Sequence, residues 1–196
     1  MSKIFAGLDI SMNSPAITVW DSSKPHTFQT IKFFNFGKVK KLEGTHAHGN
    51  VNILVQEHFN NNEERFRRIA HWAKAVFLSE GVTHAALEGY AMGNSSRSNN
   101  LMETAECCGL IKQQLNLLGI PFETVTPSSV KKQFTGNGAA KKPQMMEKFA
   151  SLMNHDLVKS MDIKNKDGKP VDDIVDSYAI MRCHSEVIEL LGVVEC

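Results

Sequence analysis

Four carboxylates end or interrupt stretches of sequence that are otherwise apolar. Asp9 closes Lys3-Ile-Phe-Ala-Gly-Leu-Asp9, and Glu88 closes Thr83-His-Ala-Ala-Leu-Glu88. Asp173 and Asp176 lie inside Asp172-Asp-Ile-Val-Asp-Ser-Tyr-Ala-Ile-Met181. A carboxylate in an apolar element is costly unless something neutralises it. Acids delivered from distant segments to one place make a divalent metal site built from oxygen ligands. No Cys/His ligand set accompanies them, which favours Mg²⁺, with Mn²⁺ as the substitute, over zinc. Two such ions about 4 Å apart can activate a water and stabilise the leaving oxygen of a phosphodiester. Taken singly, each acid also has a simpler role. Asp9 can cap a turn, Glu88 can pair with Arg97 or a lysine, and Asp172 and Asp173 suit the first turn of a helix. Asp176 sits deeper in its apolar helix. Periodicity alone leaves these alternatives open.

The elements that must position these acids can be read from hydropathy. Residues 4–11 alternate as a strand, Asn13-Ser-Pro15 is a turn, and two more strands follow at Ala16–Trp20 and about His26–Phe36. Residues 37–62 are polar around one apolar patch, Val51–Val55, and read as a long loop or excursion. A helix spans about 62–80, with Phe66, Ile69, Ala70, Ala73, Val76 and Phe77 on one face and Gly81 as its cap. Then come the Glu88 strand, a helix at about 99–118, a strand at Pro121–Val125, and a helix opened by Thr126-Pro127. Pro143–Met153 is helical, 154–170 reads as a loop, and Val171–Leu191 as the last helix. Three strands followed by βαβ-type units predict an α/β fold. Its mixed sheet has five strands, an antiparallel three-strand meander plus two parallel strands, with helices on both faces.

Composition sets limits on function. The chain has 196 residues, 42% of them hydrophobic, enough for one domain with a core, which we take to span 1–196. No apolar run reaches the length of a membrane span, and the N-terminus enters a strand without the apolar core of a signal peptide. Cys107, Cys108, Cys183 and Cys196 have neither zinc spacing nor a disulfide framework, which predicts a reducing, cytoplasmic setting. Net charge is only +1, but Lys131, Lys132, Lys141, Lys142 and Lys148 meet a single acid, Glu147, between residues 127 and 148. That segment, with Gly136 and Gly138, suits phosphate contacts, or else forms a solvated helix face. His46-Ala-His48 has metal-binding types but no further ligands, and reads as loop.

Taken together, these blocks resemble the RuvC family of Holliday-junction resolvases, in the ribonuclease H-like superfamily. Gly7-Leu-Asp9-Ile-Ser resembles the family's opening strand, and Ala86-Leu-Glu88 its glutamate strand. Thr126-Pro-Ser-Ser-Val-Lys-Lys-Gln-Phe-Thr-Gly-Asn-Gly-Ala-Ala-Lys-Lys-Pro-Gln144 resembles its proline-to-glycine segment, and Asp173-Ile-Val-Asp176-Ser-Tyr-Ala-Ile its acidic helix. The resemblance implies Asp9, Glu88, Asp173 and Asp176 as metal-binding catalytic acids holding two ions, with Asp172 a bystander. It implies Lys142 beside the scissile phosphate, and Lys131, Lys132, Lys141, Tyr90 and Arg97 on DNA. It implies a homodimer acting on branched DNA, with Met102 and Cys108 of the second helix either at the dimer interface or in the core, in a bacterial cell or phage-infected host. Three departures are visible. Ala91 stands where the family has an aromatic, with Tyr90 adjacent; Ser177 replaces an alanine; and the 37–62 excursion is long. Flaps, other branched DNA or RNA/DNA hybrids are alternative substrates for the same fold. An actin-like or sugar-kinase-type ATPase also begins with a Gly-x-Asp strand but needs a second such domain.

Overall fold

The computed structural model describes residues 2–89, 98–163 and 168–192. Strand β1 (Ile4–Asp9) turns Phe5, Gly7 and Asp9 to one face and Ile4, Ala6 and Leu8 to the other. Strands β2 (Ala16–Asp21) and β3 (Ile31–Gly37) continue it as the expected antiparallel meander. The 37–62 excursion departs from its loop reading. It contains the short strand β4 (Gly44–His46) and β5 (Val51–Val55), which lies parallel to β3 and buries Val51 and Ile53. Those two residues alternate in Val51-Asn-Ile-Leu-Val55, the period of a half-buried strand.

Helix α1 (Asn62–Glu80) opens on Asn61, whose side chain accepts from the Glu64 amide at 2.8 Å, and closes on left-handed Gly81. Strand β6 (His84–Glu88) then pairs parallel with β1. Helix α2 (Ser98–Leu117) and strand β7 (Phe122–Val125), parallel to β6, follow. Among the described residues the sheet therefore has seven strands rather than five, in the order β4-β5-β3-β2-β1-β6-β7. Helices α3 (Pro127–Thr135) and α4 (Lys142–Met153) come next. The 154–170 stretch holds a single-turn helix, α5 (Leu157–Ser160). The last helix is divided into α6 (Val171–Arg182) and α7 (Ser185–Leu191). The division arises because the His184 side chain caps the Glu186 amide while the Glu123 carboxylate accepts from the Ser185 amide at 2.9 Å.

Helices cover both faces of the sheet. On one face Ala6, Leu8, Ile17, Val19 and Leu87 pack against α1 and α2. On the other, Phe5, Trp20, Phe33 and Ala86 pack against α6, which is buried nearly all round because α3 and α4 lie outside it. The closest approach is at Gly7. A Cβ there would fall well inside contact distance of the Ser177 carbonyl and the Met181 backbone nitrogen. Only a residue without a side chain lets α6 lie this close to β1. One turn along, the buried Ser177 hydroxyl meets Thr18 Oγ1 of β2 at 2.7 Å and donates to the Ile174 carbonyl.

We expect Gly7→Ala to force the helix off the sheet and to lower the unfolding free energy by about 3 kcal/mol, the scale of core overpacking. Urea denaturation checks this, and an alanine variant of wild-type stability would refute the contact.

Candidate active site

The parallel pairings align the C-terminal ends of β3, β5, β1, β6 and β7 on one edge of the sheet, where ligands of open α/β sheets bind. Leu8 pairs with Leu87, so the next residues, Asp9 and Glu88, end neighbouring strands. By alternation with Phe5 and Ala86, both carboxylates face the side that α6 covers. The N-terminal turns of α6 bring Asp172, Asp173 and Asp176 to the same edge. Beside Glu88 lies a cleft of about 180 Å³ lined by Ile10, Leu101 and Pro127 among others.

The four acids feel one another electrostatically. The Asp9 carboxyl is pushed well above its ordinary range, first by burial and then by the fields of Asp176, Asp173 and Glu88, with Lys169 opposing. Asp176 is raised to about 7 by burial and by Glu88, against the pull of Lys142. Glu88 is raised by burial and held down in part by Lys131. Asp173 is raised by burial and then by Asp172, while Ser14, Lys169 and Lys142 pull the other way. Asp173 and Asp176 are the α6 acids that act most on Asp9.

Besides Lys131 at Glu88, two lysines supply positive charge to the α6 acids. Lys142, at the start of α4, forms an ion pair with Asp172, which is only 2% exposed. Burial works against the Lys142 charge, but the hydrogen bond to Asp172 and the fields of Asp172, Asp173 and Asp176 outweigh it and raise its value. Lys169 Nζ lies 3.4 Å from Asp173 Oδ1. Asp172 Oδ1 and Asp173 Oδ2 remain buried with no hydrogen-bond partner among the described residues. Among those residues no three His, Cys, Asp or Glu side chains already form a metal cage. Lone buried carboxylate oxygens in a cluster short of positive charge nevertheless fit a hard, oxygen-seeking divalent cation.

The remaining sequence-derived residues are distributed unevenly. Lys131 of α3 is partly buried and acts on Glu88, whereas Lys132 and Lys141 are exposed beside it. Tyr90 and Arg97 lie outside the described residues. Met102 is 67% exposed, while Cys108 is 2% exposed and packs in the core with α1, so the interface role weighed for Cys108 is withdrawn. His46 binds the Leu42 carbonyl through its ring at 2.7 Å and belongs to no metal-binding group among the described residues. Sequence reading missed Lys169 and Ser14. Lys169 lies four residues before Asp173, a spacing that signals a pair only once the helix start is known. Ser14, in a turn, offers no spacing signal.

All four acids have folded values above their ordinary ones, so the folded cluster holds protons that the unfolded chain releases. This contribution to stability is full below the ordinary carboxyl range and is lost as pH rises through about 7. One group moved from 3.8 to about 7 represents roughly 4 kcal/mol. In EDTA, we expect the thermal unfolding midpoint to fall between about pH 5 and about pH 8, and Mg²⁺ to restore more of it at the higher pH. Calorimetry checks this, and a midpoint that rises over that range in EDTA would contradict proton retention.

Comparison with known proteins agrees with this arrangement. Residues 37–184, about three quarters of the chain, match the family described as "Crossover junction endodeoxyribonuclease RuvC". No curated protein sequence matches the chain. Among solved structures, Thermus thermophilus RuvC is similar at a TM-score of 0.62 with 15% identity, covering 98% of both chains. T. thermophilus RuvC in complex with Holliday junction substrate gives 0.65 with 14% identity, again over 98% of both chains. The yeast mitochondrial Holliday junction resolvase Ydc2 gives 0.56 with 13% identity, over 96% of this chain and 78% of that one. At these identities the structures speak for the ribonuclease H-like fold, which includes β1 and Asp9, outside the matched segment. The family match speaks for the nuclease reading over the ATPase one, and the chain belongs to the crossover junction endodeoxyribonuclease family RuvC.

Proposed function

We propose that this chain resolves four-way DNA junctions by metal-dependent phosphodiester hydrolysis, as a homodimer. The observation that carries the reading is the meeting of Asp9, Glu88, Asp173 and Asp176 at one sheet edge, with Lys131 and Lys142 beside them, in a RuvC-family chain. Asp9, Glu88, Asp173 and Asp176 would hold two Mg²⁺ ions, or Mn²⁺ in their place. When bound, such ions polarise the scissile phosphodiester and offset its developing charge. Asp172 stays with Lys142 and orients it. Lys142 and Lys131 place ammonium groups beside the scissile phosphate, where charge develops during hydrolysis. Lys132 and Lys141, exposed on the same segment, meet the backbone farther out. Tyr90 and Arg97 belong to the DNA path in this reading through their place after Glu88 in sequence.

Residues 1–196 act as a single nuclease domain, with the 37–62 excursion as an extension of its sheet. A four-way junction is nearly two-fold symmetric, and two active sites related by a two-fold axis suit paired cuts. Met102 and Leu117, exposed on α2, and Leu78, exposed on α1, are apolar residues available to a second copy. Cys107, Cys108 and Cys183 are free and buried, which suits a reducing cytoplasm. No helix among the described residues is long and apolar enough to cross a membrane.

Asp9→Asn is expected to cut junctions at least about a thousandfold more slowly in Mg²⁺ while still binding them. Lys142→Ala is expected to slow cleavage about a hundredfold. Single-turnover assays on four-way, flap, duplex and hybrid substrates check both. Wild-type protein that cuts no substrate in Mg²⁺ or Mn²⁺ would sink the nuclease reading. Flap cutting without junction cutting would change the substrate, and full activity in Asp9→Asn would remove that residue from the site.

A further inference from the structure

We infer that the 37–62 excursion builds a pocket for one unstacked nucleobase next to the acid cluster, an inference that rests on the nuclease reading above. The pocket is a cavity of about 160 Å³. Its floor is Val39, Leu42 and Ile53, all supplied by the excursion, and Asn13, Lys38 and Lys169 are among its polar lining residues. A dry apolar cavity of about 150 Å³ accommodates a benzene ring, so this volume suits the ring of a single base. Gly37 also lines it, and a Cβ there would crowd the buried Asn35 side chain beside it.

Three observations connect the pocket to DNA. Lys169 lines it and also pairs with Asp173, so one side chain joins the pocket to the acids. Asn35 of β3 lies opposite Asp9 across β2, about 10 Å away, and Gly37 and Lys38 follow two and three residues farther along at the same sheet edge. That distance is a short step along a DNA strand. A second cation, Arg65, approaches the lining residue Asn13 from α1. Lys38 and Arg65 of α1 both donate to the single uncharged oxygen Asn13 Oδ1, at 2.8 and 2.7 Å, and Arg65 also donates to the Met12 carbonyl. Burial is the main cause lowering both values, and the field of Arg65 lowers Lys38 further. Glu103 of α2 partly offsets this at Arg65. Two cations converging on one neutral oxygen beside an apolar hollow fit a nucleotide whose phosphate meets Lys38 and Arg65 and whose base enters the hollow. Unstacking a base costs a few kcal/mol in a continuous duplex and least where stacking is already interrupted, as at the crossover of a junction.

The test uses four-way junctions carrying a single 2-aminopurine, moved position by position around the cut. With wild-type protein in EDTA, binding should brighten the probe at one position several-fold, since among the described residues no aromatic side chain lines the pocket to quench it. Val39→Phe, which fills the cavity, should abolish that brightening and slow Mg²⁺-dependent cleavage about tenfold. The cleavage deficit should shrink on a junction with an abasic nucleotide at the same position. Lys38→Ala should reduce the brightening without removing a pocket wall. Urea unfolding of each variant identifies any that fail to fold, and Ile53→Phe then serves as the second filling variant. No brightening at any position, or equal brightening in wild type and both filled variants, overturns the pocket. Junction cleavage by wild type in the same assay reports separately on the nuclease reading.

Discussion

The backbone contact between β1 and α6 at Gly7 sets the position of everything chemical in this molecule. Asp9 stands two residues beyond Gly7 on the same face of the strand, and Asp173 and Asp176 stand on the helix that Gly7 admits. A side chain at position 7 would lift the helix and separate the acids that now act on one another. Burial of α6 on all sides fixes its rotation, so its acids have one direction in which to point. Carboxylates held this way repel one another, and the cost is met by shared protons and by lysines rather than by distance.

The two lysines that reach the α6 acids come from different segments. Lys142 arrives from the N-terminus of α4, past the glycine-containing segment, and Lys169 from the residue before Pro170. Together they mean that the charge balance of the site is already partly met by the protein. An incoming cation or phosphate therefore rearranges existing ion pairs instead of entering an empty field. The Lys142 side chain is more than half exposed while its acid partner is buried, so in the proposed reaction the lysine, not the acid, is the member of the pair able to move.

Much of this was legible in the sequence, and the limits have physical causes. Local signals were strong for β1, α1 and α3, where alternation or capping residues mark the ends. The acids stood out because each interrupts an apolar stretch, and their order along the chain matched one family. The excursion was misread because β4 has only three residues and β5 is stabilised by β3, a partner that local pattern cannot reveal. The break between α6 and α7 depends on Glu123, some sixty residues away in sequence. Lys169 escaped notice for the same reason: its partner is defined by a helix start, not by a motif. Long-range contacts, not propensities, decide such details.

Ser177, where the family pattern has alanine, has its explanation in Thr18. The two hydroxyls are 159 positions apart in sequence, both are fully buried, and each is the other's side-chain partner. Losing Ser177 alone strands the buried Thr18 hydroxyl at about 1–3 kcal/mol, whereas losing Thr18 leaves Ser177 its bond to the Ile174 carbonyl, and replacing both with apolar groups of similar shape is nearly neutral. The two sites are therefore epistatic. A lineage moving between serine and alanine on this helix must change the second strand in step, and among homologues the two positions should vary as a linked pair.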